Sequence, residues 1–178
     1  MKNVFILIFF LSFLFSISVI AQKYEIEESD KTIAEFKEVD SGINELFNSA
    51  YGYGVLYSVG KGGIGVGGAG GKGTVYKGGS PVADLRMTQL TVGLQLGGQK
   101  YAEVIFLKNK EAYDRFVGSN YEFAAQVSAV ALKSGASADA EYRDGILVFT
   151  MAIGGLMYEA SVGGQKFKVT SFDEEEEE

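Results

Sequence analysis

The stretch from Gly60 to Tyr76, GKGGIGVGGAGGKGTVY, holds the residues best suited by type and spacing to cradle a phosphate. Within it Gly65, Gly67 and Gly70 spell GxGxxG, the letters of a dinucleotide-binding turn. That turn needs a strand before it and a helix directly after it, so that the helix N-terminus faces the pyrophosphate. The residues that follow, GKGTVYKGGSPV, add four glycines and a proline and cannot open a helix. A P-loop is excluded too, because Lys72 is followed by Gly73 where Ser or Thr is required. Ile64 and Val66 alternate with Gly63, Gly65 and Gly67, so side chains leave one face only. A strand bare on one face lets another backbone approach or lets a sheet bend sharply. The expectation is two bent strands around a turn, at a barrel seam or sheet corner.

Other chemistry-bearing groups fall short of a site. Asp139, Glu141 and Asp144 with Gly145 resemble a calcium loop, but the register is wrong. Ser161 in EASVG lacks the first glycine of a nucleophile elbow. Glu111 and Asp114 read as a solvated helix face. The chain contains no His, no Cys and no Trp. Without Cys and His the common zinc sites cannot form, and only oxygen-ligated ions remain. The usual general base for a Ser or Cys nucleophile is missing as well. These absences point away from an enzyme, a metal centre and a cofactor.

The elements that would position any site are legible in outline. The N-terminus, MKNVFILIFFLSFLFSISVIAQ, has a positive Lys2, an apolar run from Val4 to Ile20, and small residues ahead of a cut after Ala21. This reads as a secretory signal peptide over 1–21, with an uncleaved membrane anchor as the alternative. Residues 22–50 carry a net charge of −5, residues 51–172 carry +3, and the tail 173–178 carries −6. The acidic ends surround a mildly basic middle with no basic stripe, so nucleic acid is not expected. Residues 22–45 form an acidic, largely helical segment, 46–170 the folded domain, and 171–178 a solvated acidic tail.

Ile33, Phe36, Val39, Ile43, Leu46, Phe47 and Ala50 make one apolar helical stripe, expected to pack on a sheet. Thr32 to Glu35 fits a capping box, Asp30 is a rival cap, and Gly42 weakens the middle and offers a break of the helix in two. Gly54 to Val59 is a strand. Met87 to Leu96 alternates with period two, Gly97–Gly98 turns, and Tyr101 to Lys108 returns, which predicts a β-hairpin. Asn109 to Val117 predicts a short helix capped by Asn109, with Ala112, Phe116 and Val117 inward. Phe123 to Leu132 allows a strand, Gly135 to Asp144 a loop, and Ile146 to Ile153 a strand buried on both faces. The motif at Gly97-Gly98-Gln99-Lys100-Tyr101 recurs at Gly163-Gly164-Gln165-Lys166-Phe167, suggesting two hairpins with related turns. The fold class is α+β and β-rich. It is one compact domain of antiparallel hairpins, barrel- or sandwich-like, with an N-terminal helix and one or two short helices.

In order along the chain, AYGYGVLYSVGKGGIGVGGAGGKGTVYKGG, MTQLTVGLQLGGQKYAEVIFLKNKEAYDRF, FAAQVSAVALKSGASA and GILVFTMAIGGLMYEASVGGQKF resemble the SYLF-domain family, in its exported bacterial branch. The resemblance runs from about Leu46 to Val169. It implies a non-catalytic lipid-binding domain of the cell envelope, periplasmic or secreted. The acidic segment before the domain departs from the basic membrane helix of eukaryotic members, and no actin-binding role carries over to an exported protein. If an anionic head group is the ligand, backbone N–H groups at Gly65, Gly67, Gly68, Gly70 and Gly71 can form an anion-binding concavity. Lys61, Lys72, Lys77, Lys100 and Lys166 would supply the charge. The competing expectation is an envelope interaction protein whose glycine-rich face receives a protein partner.

Overall fold

The computed structural model describes residues 2–93, 99–118, 121–124, 129–154 and 162–175. Four helices are present among them: α1 (Lys2–Val39), α2 (Ile43–Ser49), α3 (Lys110–Val117) and α4 (Phe172–Glu175). The strands are β1 (Gly52–Lys77), β2 (Ser80–Gly93), β3 (Gln99–Leu107), β4 (Tyr121–Glu122), β5 (Val130–Ala131), β6 (Ile146–Ala152) and β7 (Gln165–Ser171). They form one sheet in the order β4-β7-β2-β1-β3-β6-β5, antiparallel except for the β5–β6 pair. The α+β, β-rich expectation holds. No helix among the described residues is long and apolar enough to cross a membrane.

The glycine-rich stretch organises this sheet. It is not two strands around a turn but part of one 26-residue strand with two different neighbours. Residues Gly52 to Lys61 pair with β3, and Gly65 to Lys77 pair with β2. The two halves fold toward each other with almost no gap: a Cβ on Gly73 would lie 1.7 Å from the Val55 carbonyl oxygen. The bare face therefore admits another backbone, which is the first half of the same strand. The true turn follows at Gly78–Gly79, where Lys77 opposes Ser80 and both glycines have positive φ, +57° and +82°. Two successive positive φ values match a two-residue primed hairpin turn, which glycine adopts without steric cost.

The predicted hairpin of Met87–Leu96 with Tyr101–Lys108 does not form. Both strands exist, but β1 lies between them and each pairs with a different half of it. The Gly97–Gly98 turn lies outside the described residues. The repeated GGQK motif opens β3 and β7, and the run directly before its second copy, 155–161, lies outside the described residues. Among the described residues of Phe123 to Leu132 the one strand is β5, with β4 just ahead of the stretch and 125–128 outside the described residues.

The sheet curls strongly. Adjacent strands lie ~4.8 Å apart, so β7 and β3, three steps apart in the order, would be about 14 Å apart if flat. Instead Gln165 of β7 hydrogen-bonds Glu103 of β3 at 3.0 Å across the hollow. The concave side is filled by one apolar cluster that includes Leu85, Met87, Ile105, Val148 and Phe167. Helix α3 closes onto it through Phe116, whose ring centroid is 5.1 Å from that of Phe167. Its N-cap is as expected, with Asn109 Oδ1 accepting from the Ala112 N–H at 2.9 Å. Of the three residues expected inward, Ala112 and Phe116 are buried, Val117 is only partly so, and Tyr113 is buried in addition.

A second apolar cluster covers the convex side of β1, β3 and β6, where α1 ends and α2 docks with Phe36, Ile43 and Phe47. The chain breaks at Gly42 as anticipated, and Asp40 organises the break. Its carboxylate accepts from the Gly42 N–H at 3.1 Å and the Ser137 N–H at 2.7 Å. Those bonds, the one from Ser137 first, hold the Asp40 carboxyl below its ordinary range. The proposed Thr32 capping box is not a helix start, because α1 runs through it and Thr32 Oγ1 donates to the Glu28 carbonyl. The face of α1 that meets the sheet is mostly polar: Glu25, Ser29, Thr32 and Phe36 are buried, whereas Val39 is exposed.

Candidate functional site

Strand alternation sorts the predicted lysines. On β2 the odd residues 83, 85, 87 and 89 are buried, so the even residues form the outer face. Across that face Lys72 opposes Arg86, and Arg86 opposes Lys168, giving three bases in one row over β1, β2 and β7. The next row carries Gly70, Thr88 and Lys166, and the next Gly68 and Leu90. Leu90 stands 84% exposed with no cross-strand side chain beside it on β1. Arg86 is occupied by α1: its guanidinium grips both Glu25 oxygens, at 2.6 and 2.9 Å. Lys166 forms a solvent-exposed pair with Glu122 at 3.4 Å, a contact worth little in water.

The other lysines lie elsewhere. Lys61 and Lys100 are neighbours at the bend of β1, through the Lys61–Gln99 and Gly60–Lys100 pairings. Lys77 sits at the opposite end beside the hairpin turn, its Nζ 5.7 Å and 5.5 Å from the ring centroids of Tyr51 and Tyr113. The structure thus puts Lys72 and Lys166 on one face, and leaves Lys61, Lys100 and Lys77 away from it. Gly65, Gly67, Gly68, Gly70 and Gly71 are all in register with β2, as parts of a ladder and not of a turned loop. Lys168 was missed, although Lys166-Phe167-Lys168 carries the period-two alternation that places both lysines on one strand face.

Two further features were not legible. Glu103 is fully buried inside the curl, where desolvation pushes its carboxyl up to about 8 against the opposing bond from Gln165. Gln165 Nε2 also lies 3.3 Å from the Tyr101 hydroxyl. At the open seam between β4 and β6 lies a cavity of about 550 Å³. Asp139, Glu141 and Asp144, the residues with calcium-like spacing, line it. Among the described residues no three acidic side chains gather as a metal site.

The family described as "Ysc84: Las17-binding protein actin regulator" matches residues 88–176, half of the chain. The chain belongs to this family. The match is the SYLF resemblance seen in the sequence, and it spans β2 from Thr88 onward through β7. A curated relative, "Beta cell expansion factor A" of Aeromonas veronii, is 29% identical over 131 residues, covering 68% of this chain. The chain spans about half the length of that relative, 47%. The Ysc84 match contains Glu103, the seam cavity, Lys100, Lys166 and Lys168, and it leaves Lys61, Lys72 and Lys77 ahead of its start.

Proposed function

We propose that this Ysc84-family domain is an exported, non-catalytic module that binds membrane surfaces bearing anionic lipid head groups. The observation that carries this reading is the outer face of β1, β2 and β7. There Lys72, Lys166 and Lys168 stand on the same outer face as the exposed Leu90, in the rows beside it, with Gly68 and Gly70 adding no side chains. Each lysine near an anionic surface contributes about 1 kcal/mol, and an exposed leucine adds apolar contact at the head-group boundary. Export is supported by the Lys2, Val4–Ile20 and Ala21 pattern. An intact-mass measurement of the exported form should then begin at Gln22.

Vesicle co-sedimentation tests the surface reading. The protein should pellet with vesicles containing anionic lipid and not with neutral ones. Binding should weaken as salt shortens the screening length from about 10 Å at 0.1 M toward 3 Å at 1 M. Changing Lys72, Lys166 and Lys168 to Gln together should reduce anionic binding at least tenfold, by the ~1 kcal/mol each lysine supplies. Binding unaffected by salt and by the triple variant would remove the surface reading. The second reading is a protein partner on the same face, favoured by the family description, which names a protein-binding activity. Absence of vesicle binding with retention of a partner that the triple variant loses would establish it instead.

A further inference from the structure

Among the described residues the curled sheet does not close, and its two margins leave the seam cavity between them. Its volume of about 550 Å³ lies within the 300–1,000 Å³ range of small-ligand pockets. The deep wall is apolar, from Phe123, Ile146 and Val148, all buried, with Val130 and Ala140 toward the opening. The mouth is charged. Glu122 and Asp144 already engage Lys166 and Arg115, at 3.4 Å and 3.2 Å. Asp139 and Glu141 are exposed at the mouth with no ion pair among the described residues, and Arg143 stands beside them. An apolar pocket under two uncompensated carboxylates suits a ligand with an apolar body and a positive end. Its charge preference is opposite to that of the outer basic face, so it is a separate site.

We propose that the seam cavity holds the chain of a single-tailed amphiphile whose ammonium head is received by Asp139 and Glu141. An anionic head would meet two carboxylates against one guanidinium and is disfavoured. A zwitterionic head is acceptable, with its anionic part turned to Arg143. This assignment does not depend on membrane-surface binding.

Calorimetric titration of the full chain with decyltrimethylammonium and decyl sulfate, both below their micelle concentrations, tests it. The two share a tail and differ in head charge. The ammonium amphiphile should bind near one to one and at least tenfold more tightly than the sulfate. The double variant Asp139→Asn with Glu141→Gln should bring the two affinities within about threefold while binding of the tail persists. Ala140→Trp, on the partly exposed wall, should fill the space and remove binding of both. A matched thermal melt distinguishes filling from unfolding, and Val130→Trp repeats the test from a second position. Equal affinity for the two heads, unchanged in the double variant, would overturn the head-group assignment. Undiminished binding in folded Ala140→Trp and Val130→Trp, or no binding at all by the native chain, would overturn the site.

Discussion

Gly73→Ala is expected to cost at least about 3 kcal/mol of stability, at or beyond the upper end for overpacked cores. The reason is the absence of any flexible neighbour. The added Cβ would lie 1.7 Å from the Val55 carbonyl oxygen, 2.6 Å from its carbon and 2.9 Å from the Leu56 Cα. All three are backbone atoms, so relief requires the two halves of β1 to part, and with them the ladders to β2 and β3. A domain of this size loses roughly 2–4 °C of melting temperature per kcal/mol, so a fall of about 6–12 °C or outright failure to fold should appear. Gly68→Ala is the control, with its nearest contact, the Gln89 carbonyl oxygen, at an ordinary 3.5 Å. It should stay within about 0.5 kcal/mol of the native chain. If thermal unfolding gives both variants the same midpoint, the close crossing of β1 over itself is wrong.

Glu103→Gln is expected to change how stability depends on pH. The carboxyl titrates near 4.5 when solvated and near 8 in the folded protein, raised chiefly by burial. Between those values the native state holds a proton that the unfolded chain releases. Stability therefore falls as pH rises through that window and levels off on either side. The steepest slope is about 1.4 kcal/mol per pH unit, and the whole loss is on the order of 5 kcal/mol. Glutamine keeps the shape, and its side-chain oxygen can still accept from Gln165, but it cannot ionise. The variant should match the native chain near pH 4.5 and exceed it by a few kcal/mol at pH 8. Urea unfolding of both proteins at pH 5, 6.5 and 8 measures the difference. Parallel pH profiles would show that Glu103 is not the titrating group.

Both predictions concern residues whose importance the local sequence does not reveal. Gly73 is one glycine among many in its stretch, and nothing adjacent to it in the chain marks it as the point of contact with Val55. Glu103 sits in YAEVIFLK as a single acid in an apolar strand. The partner that holds it, Gln165, lies 62 positions away. The outer row of Lys72, Arg86 and Lys168 is equally nonlocal, since three strands must come into register before those charges stand side by side.

What the sequence determined by itself was most of the elements, though not all of their buried faces. The apolar run Ile146–Ile153, the Asn109 cap and the break at Gly42 act within a few residues, and each gives the local feature expected, with β6 ending at Ala152. The alternation from Met87 gives a strand with the opposite face buried: Gln89 is buried and Leu90 is exposed, because the neighbouring strands decide which side meets the core. The family was also carried by local blocks of sequence. Only the tertiary structure decided which strand pairs with which. Alternation states which side of a strand is apolar and is silent about its neighbour, so β2 and β3 looked like a hairpin until β1 took the place between them. The same reason hid the buried face of α1. Glu25, Ser29 and Thr32 are polar, and their burial follows from Arg86 and Thr74 standing opposite them, the guanidinium meeting Glu25 and the Thr74 hydroxyl accepting from Ser29 at 3.0 Å.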